Sequence, residues 1–412
     1  LIAIGNGLFK GNLQAIVGQM YDNLEAEKAK ESPEALAEVK DKRDAGFQIF
    51  YVFINIGGLL APFVAPLLRQ WWLGLKGMVY NAQLPALCHK FLNGASMTGE
   101  ESTNLTKLMN DVNEGGLNPG DMQAACSSYL EVFNTGVHYS FIASVAAMII
   151  SLLIFMYYKK IFPTPAKKEA AASVDYTPEE KVAMAKEIKQ RLAALFAVLA
   201  VCIFFWLSFH QNGQSLSVFA RDYVVTDAIA PEIWQAVNPF FVIVLTPIVM
   251  WFFAMLARKG KAISTPRKIV IGMGITAVAY LFLTALSAGI GYPNGEDFRA
   301  LGVGEQDAMK SGWWVLIVVY FFLTLAELFI SPLGLSFVSK VAPKHLQGIC
   351  QGLWLSATAI GNLFIWIGPV MLNGLPKLWM CWAVFMVICL VAMGVMWGMV
   401  SWLERITGEA EA

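Results

Sequence analysis

Charge is scarce in this sequence. Of its 412 residues, 15% are Asp, Glu, Lys or Arg, against about 25% in an ordinary soluble domain. The 30 basic and 30 acidic residues cancel, which removes the electrostatic footprint expected of a nucleic-acid partner. Histidine is scarcer still, with four copies, and the six cysteines show no metal-ligand spacing. Catalytic signatures are missing too: the apolar runs hold no HExxH, no GxSxG, no nucleotide loop and no paired carboxylates. These gaps weigh against an enzyme, and no cofactor or metal is implied.

What the chain has instead is apolar length. Hydrophobic residues make up 57% of it, with 27 Phe and 13 Trp, and they cluster into long runs. Nine such runs are legible, at roughly 1–20, 47–73, 137–160, 192–212, 232–257, 268–290, 311–336, 345–373 and 378–403. Each offers about the 17–25 residues that a helix needs to cross a bilayer, or somewhat more where it tilts. The fold class is therefore all-α and polytopic, with the lipid bilayer as solvent. Cys202, Cys350, Cys381 and Cys389 fall inside these runs and read as small packing residues.

Basic residues are uneven along the connections. "EAEKAKESPEALAEVKDKRDAG", the stretch 158–191 and "RKGKAISTPRK" are rich in Lys and Arg, whereas 213–231 and 374–377 carry one each. This alternation places the basic connections and the C-terminus in the cytoplasm of a multi-pass protein of the cell membrane. Residues 161–191 form a cytoplasmic linker in which "TPEE" reads as a helix start, with Thr177 as cap and Pro178 in the first turn. An amphipathic helix is expected to run from there into the span at 192. Three spans precede the linker and six follow it. The division predicts a remnant N-terminal bundle over 1–160, a C-terminal six-helix bundle over 192–404 and a tail over 405–412. Two equal six-helix halves would need three further helices at the N-terminal end.

Residues 74–136 form an extracellular insert that reads as two or three short helices with Gly, Pro and Asn turns. Cys88 and Cys126 both lie in it, on the oxidising side, and are a candidate disulfide pair.

Few charges sit within the spans: Lys10 in the first, His210 in the fourth and Glu327 in the seventh. A charge at mid-membrane depth costs about 2.5–3.5 kcal/mol on insertion scales, so these residues are expected to face a polar site. Amides and prolines accompany them. Asn55 precedes Gly57 and Gly58, Asn238 precedes Pro239 and Pro247, and Ser331 follows Glu327 by one turn, just before Pro332. Breakers of this kind are expected to interrupt spans near a binding site, or to let helices pack closely.

At this point the blocks "GNGLFKGN", "RDAGFQIFYVFINIGGLLAP", "FFWLSFHQNGQSLSVFA", "WQAVNPFFVIVLTP" and "AELFISPLGLSFVSKVAP" resemble the proton-coupled oligopeptide transporters of the major facilitator superfamily. "GVHYSF" and "GLWLSATAIGN" extend the resemblance over all nine spans in order. It implies a major facilitator fold lacking its first three transmembrane helices, and symport of di- and tripeptides with protons by alternating access. By motif position, Lys10 is similar to the lysine that takes the peptide carboxylate and couples protons. Asn55 and Asn238 resemble the asparagines that read the peptide backbone and termini. Glu327 resembles the carboxylate that holds the peptide ammonium, with Ser331 beside it. Trp206 and Trp354 resemble aromatic pocket walls. Asp222 resembles a carboxylate of an extracellular gate, whose partner is expected on the absent helices. The chemistry agrees, because a zwitterion needs a cation at one end and an anion at the other.

One residue departs from the pattern. The family reads FWxxFEQ, whereas this chain reads "FWLSFHQ", so His210 stands where a carboxylate is usual. An imidazole there could carry the coupling proton with a different pH range or stoichiometry. "KGN" replaces the usual KPN after Lys10. Two other readings stay open: transport of another small substrate, such as a modified peptide, an amino-acid conjugate or an anion, and a receptor or scaffold acting through the 74–136 insert.

Overall fold

The computed structural model describes residues 2–81, 83–163, 178–226, 234, 236–343 and 346–408. Among them every regular element is a helix, and extended pairing is limited to three isolated bridges. Eight helical stretches are long and apolar enough to cross a membrane. The stretch expected as the first span is helical, α1 (Ile2–Lys28), yet it is not one of the eight. The reason is composition: Lys10, Asn12, Gln14 and Gln19 break its apolar run, and it continues into "DNLEAEK".

Two units divide the chain: Leu1–Gly57 with Phe162–Ala412, and Gly58–Ile161. The first contains α1 and the inner part of α2 (Pro33–Leu75). It continues through α6 (Pro178–Phe209), α7 (Ser215–Tyr223), α8 (Val237–Arg258), α9 (Thr265–Ile290), the short α10 (Gly295–Ala300) and α11 (Val303–Met309), α12 (Trp314–Val341), α13 (Gln347–Leu363), α14 (Ile367–Gly374) and α15 (Leu378–Thr407). Helix α9 packs most extensively, against α15 and α12. Gly272 permits the approach to α12, since a Cβ there would lie 2.9 Å from the Ala326 carbonyl. Helix α1 crosses α13 where Gly11 faces Gly348 and Gly352, with a would-be Cβ 3.6 Å from the Gly352 backbone. Glycines spaced four apart are a common way for two helix backbones to meet in lipid.

The linker helix expected ahead of residue 192 is the start of α6, which runs unbroken from Pro178 to Phe209. Residues 164–177, including the expected cap Thr177, lie outside the described residues. Helices also run through Pro247 and Pro332. The breaks come elsewhere. A 3-10 turn, His210–Gly213, separates α6 from α7, and residues 364–366 separate α13 from α14. Gln211 ties the two breaks together. Its Nε2 donates to the carbonyls of Leu207 (3.2 Å) and Ile365 (3.1 Å), and its Oε1 accepts from Ser215 Oγ (2.6 Å). Gly368 of α14 lies against this lock.

The second unit holds α3 (Leu84–Leu92), α4 (Gly99–Asp111) and α5 (Met122–Tyr158), as the insert's turn residues predict. Helix α4 opens with a capping box: Thr98 Oγ1 accepts from the Glu101 amide at 3.2 Å, and Glu101 Oε2 accepts from the Thr98 amide at 2.8 Å. Lys90 pairs with Glu101 at 2.7 Å and, with that amide, holds the Glu101 carboxyl below its ordinary range. Arg69 stacks over the rings of Tyr80 and Phe133, 3.9 and 5.4 Å from their centroids.

Gly368 tests the Gln211 lock. A Cβ there would lie 2.0 Å from Gln211 Oε1 and 2.1 Å from Ser215 Oγ. Gly368→Ala is expected to destabilise the protein by about 1–3 kcal/mol, read as a lower melting temperature in detergent micelles. An unchanged melting temperature would show that the two breaks are not locked.

Candidate functional site

Glu327 lies on α12, 5% exposed and enclosed by helices. A carboxylate removed from water needs donors, and two other helices supply them. The Tyr51 hydroxyl of α2 donates to Oε1. Asn238 of α8 donates to Oε2 at 2.7 Å and to Thr324 Oγ1 at 3.0 Å. Asn55 and Ser331 lie beside the Tyr51 hydroxyl. The Asn55 amide turns back along its own helix to the Tyr51 carbonyl, 3.0 Å away. Asn55, Asn238, Glu327 and Ser331 thus come together as one polar cluster, with Tyr51 and Thr324 as members that the sequence reading did not single out.

A second polar cluster forms around His210. The imidazole stacks on Trp206, with ring centroids 5.1 Å apart and planes 18° apart. Trp206 meets Trp354 edge to face at 6.5 Å. Trp354 in turn lies on bare backbone at Gly334. Asn362 lies beside His210, the Lys10 charge on α1 is within electrostatic reach of it, and its buried Nδ1 has no hydrogen-bond partner among the described residues. Lys10 itself is exposed and forms no ion pair among the described residues. Lys10, His210, Trp206 and Trp354 therefore share one pole, and Glu327 with its donors makes another.

Sequence reasoning missed a third cluster. Asp44, near the start of α2, is buried and bonded to two helices of the C-terminal half. Lys268 of α9 pairs with it at 2.9 Å and Lys340 of α12 at 2.8 Å, while Ser336 Oγ donates at 2.6 Å and Thr265 Oγ1 at 3.1 Å. The adjacent Arg43 bonds Asp22 of α1, pairs with Glu25 at 3.2 Å and reaches Ser339 Oγ at 3.4 Å. Gln347 of α13 donates to Asp22 Oδ2 at 2.8 Å. Thr265 and Lys268 follow the 258–264 connection, Ser336, Ser339, Lys340 and Gln347 flank the 342–346 connection, and Asp22 and Glu25 lie in the last two turns of α1. Asp44 is seven residues from Tyr51, about 10 Å along α2.

Asp222 finds its partners within the C-terminal half. Arg221 pairs with it at 2.7 Å and Arg299 at 3.0 Å, and Arg299 also donates to Asn373 Oδ1 at 3.0 Å. Cys88 and Cys126 are buried side by side in the insert as unbonded thiols.

The described residues thus include a lysine, an imidazole stacked on indoles, and a buried carboxylate held by an amide and a phenol. Comparison with known proteins identifies the family. A family model described as PTR2, POT family, matches residues 1–176 and 166–373. The chain is 28% identical over 410 residues to peptide transporter YePEPT of Yersinia enterocolitica, covering 94% of this chain and 71% of that one. It is 27% identical over 436 residues to dipeptide and tripeptide permease B of Shigella dysenteriae, covering 100% and 76%. Among solved structures it is similar to a POT family transporter in complex with a thioalcohol-conjugated peptide, with a TM-score of 0.48, 18% identity and coverage of 98% and 75%. A second is peptide transporter POT in complex with sulfate, with a TM-score of 0.45, 16% identity and coverage of 99% and 96%. These relatives are transporters rather than enzymes. The family match spans all the Lys10, His210 and Glu327 segments, and the chain belongs to the POT family of membrane transporters.

Proposed function

We propose that this protein is a symporter of the cell membrane that moves di- and tripeptides together with protons by alternating access. The observation that carries the reading is the buried Glu327 carboxylate, held by Tyr51 and Asn238 from two other helices, in a chain that also carries Lys10 on α1 and His210 at the end of α6. The names of the curated relatives, a peptide transporter and a dipeptide and tripeptide permease, support the substrate class. A peptide ammonium brings three donors to Glu327. Tyr51 and Asn238 each hold one carboxylate oxygen, which leaves further lone pairs free to accept them. At the other end Lys10 meets the peptide carboxylate, while Trp206 and Trp354 give side chains an apolar wall without reading their identity.

His210 is the proposed proton carrier. Its imidazole stacks on Trp206, feels the Lys10 charge, and has no hydrogen-bond partner at Nδ1 among the described residues. The Asp44 and Arg43 clusters are the proposed cytoplasmic gate, because they join α1 and α2 to α9, α12 and α13 at the basic end of the helices.

Uptake of labelled dipeptide by the intact protein in proteoliposomes tests the poles. Glu327→Gln removes a charge-assisted contact worth about 1.5–3 kcal/mol, so uptake of a free dipeptide is expected to fall about 10- to 100-fold. Tyr51→Phe, which removes one neutral donor worth about 1 kcal/mol, is expected to cost about fivefold. Normal uptake by Glu327→Gln would overturn the assignment of the ammonium site.

Proton coupling is tested separately. His210→Gln is expected to abolish uptake driven by an imposed proton gradient while leaving peptide counterflow. Unchanged gradient-driven uptake would reduce His210 to a pocket wall.

For the gate, Asp44→Asn removes the carboxylate that Lys268 and Lys340 share. Breaking a buried pair in this way costs about 3–5 kcal/mol. Spin labels at Lys30→Cys and Lys261→Cys are expected to report longer distances in the Asp44→Asn protein. An unchanged distance distribution would remove the cluster from the gating scheme.

A further inference from the structure

We propose that a disulfide bond joins Cys88 to Cys126, stapling α3 to α5 across the insert. Both side chains are fully buried in one cluster with Leu84, Met109, Val112 and Tyr129. Within that cluster each thiol has the other as its polar neighbour. Helix α3 packs more extensively on α5 than on α4, so the two cysteines sit across the main contact of the insert. The remaining four cysteines lie in α6, α13 and α15.

The physical need is clear from the size of this core. Eleven buried apolar residues hold the insert's helices together, and segments with so small a core commonly depend on a covalent staple. The bond closes the segment 89–125, which contains all of α4. Its closure removes conformational freedom from the unfolded insert without adding any contact to the folded one.

The proposal rests on the sidedness reading, which puts the insert on the face opposite the basic connections, where oxidants act. The reaction is thiol–disulfide exchange with an extracytoplasmic oxidant that itself carries a disulfide. One cysteine thiolate attacks that disulfide, a mixed disulfide forms, and the first oxidant thiol leaves. The second cysteine thiolate then attacks the sulfur of the first cysteine in the mixed disulfide, which forms the Cys88–Cys126 bond and expels the oxidant's second thiolate. The oxidant departs as a dithiol, having taken both electrons and both protons. Burial first, and then the facing Cys126, push the Cys88 thiol above its ordinary range. Thiolate is therefore scarce once the core has closed. Oxidation accordingly belongs to the stage before α3 has fully docked, and the finished bond is shielded from reductants.

The test uses the full chain, isolated from membranes with free thiols trapped at harvest and then denatured without reductant. Four cysteines are expected to react with a mass-tagged maleimide, rising to six after reduction, and peptide mapping is expected to recover the 88 and 126 peptides as one linked species. Ser96→Cys, on the exposed turn between α3 and α4, reports sidedness through a membrane-impermeant maleimide applied to intact cells. Six reactive thiols without reduction, together with labelled Ser96→Cys, would overturn the disulfide and leave the sidedness reading standing. Six reactive thiols with unlabelled Ser96→Cys would overturn both. As a second readout, native protein is expected to resist cleavage within the insert until it is reduced under denaturing conditions and refolded.

Discussion

A carboxylate held away from water has to obtain its hydrogen bonds from protein, and Glu327 obtains them from two other helices. Tyr51 lies 276 residues away in the chain and Asn238 lies 89 residues away. Neither bond exists until α2, α8 and α12 have packed. The same requirement that makes Glu327 expensive to bury therefore makes it a register mark for three helices, since a shift of any one of them would leave the carboxylate without a donor. A site built in this way is pre-organised by the fold rather than by a loop. The donors that orient the carboxylate belong to helices that have to stay packed for the protein to remain in the membrane.

Electrostatic balance at the other polar cluster follows the same rule in a different ratio. Asp44 takes two ammonium groups, and Arg43 takes two carboxylates. Three cations and three anions share one region and cancel, with Ser336, Thr265, Ser339 and Gln347 supplying further hydrogen bonds. Balanced buried ion pairs sit near break-even against hydration, because desolvation offsets most of the Coulomb gain. That property fits the gate proposed for this cluster. An apolar seal of equal area would cost its full transfer free energy on opening, whereas these charges regain water as they separate.

How far the sequence led depended on which signal carried each feature. Hydropathy runs located the membrane helices, and isolated charges within them marked Lys10, His210 and Glu327. Tyr51 escaped because "FQIFYVF" is an aromatic run in which one more ring looks like packing. Asp44 escaped because Arg43 precedes it, and adjacent opposite charges read as a solvated pair. The helix breaks were expected at prolines, yet α8 and α12 continue through Pro247 and Pro332. The breaks instead follow Gln211, whose side chain donates to the Leu207 carbonyl one turn back and to the Ile365 carbonyl 154 residues further along the chain. A bond of that range leaves no local pattern to read. Helix α1 is less apolar than the eight long apolar helices, because Lys10, Asn12, Gln14 and Gln19 dilute its run and it ends in acidic residues.

The two poles of the site are joined by packing as well as by function. His210 stacks on Trp206, Trp206 meets Trp354, and Trp354 rests on Gly334. Gly334 lies seven residues beyond Glu327 on α12, about two turns along nearly the same face. A displacement at the 3-10 turn that carries His210 therefore has a contiguous path of rigid rings to the helix that carries Glu327. Contiguity becomes coupling only if the stack has two discrete arrangements that both poles can bias. Such a pair of arrangements would pivot at the 3-10 turn between α6 and α7, with Gly334 as the seat of the stack. A Cβ at that position would lie 2.0 Å from the Trp354 ring, so the absence of a side chain is what lets the indole bear directly on the α12 backbone. The glycine thus makes the Trp354 ring the link through which the imidazole pole and the carboxylate pole share one helix.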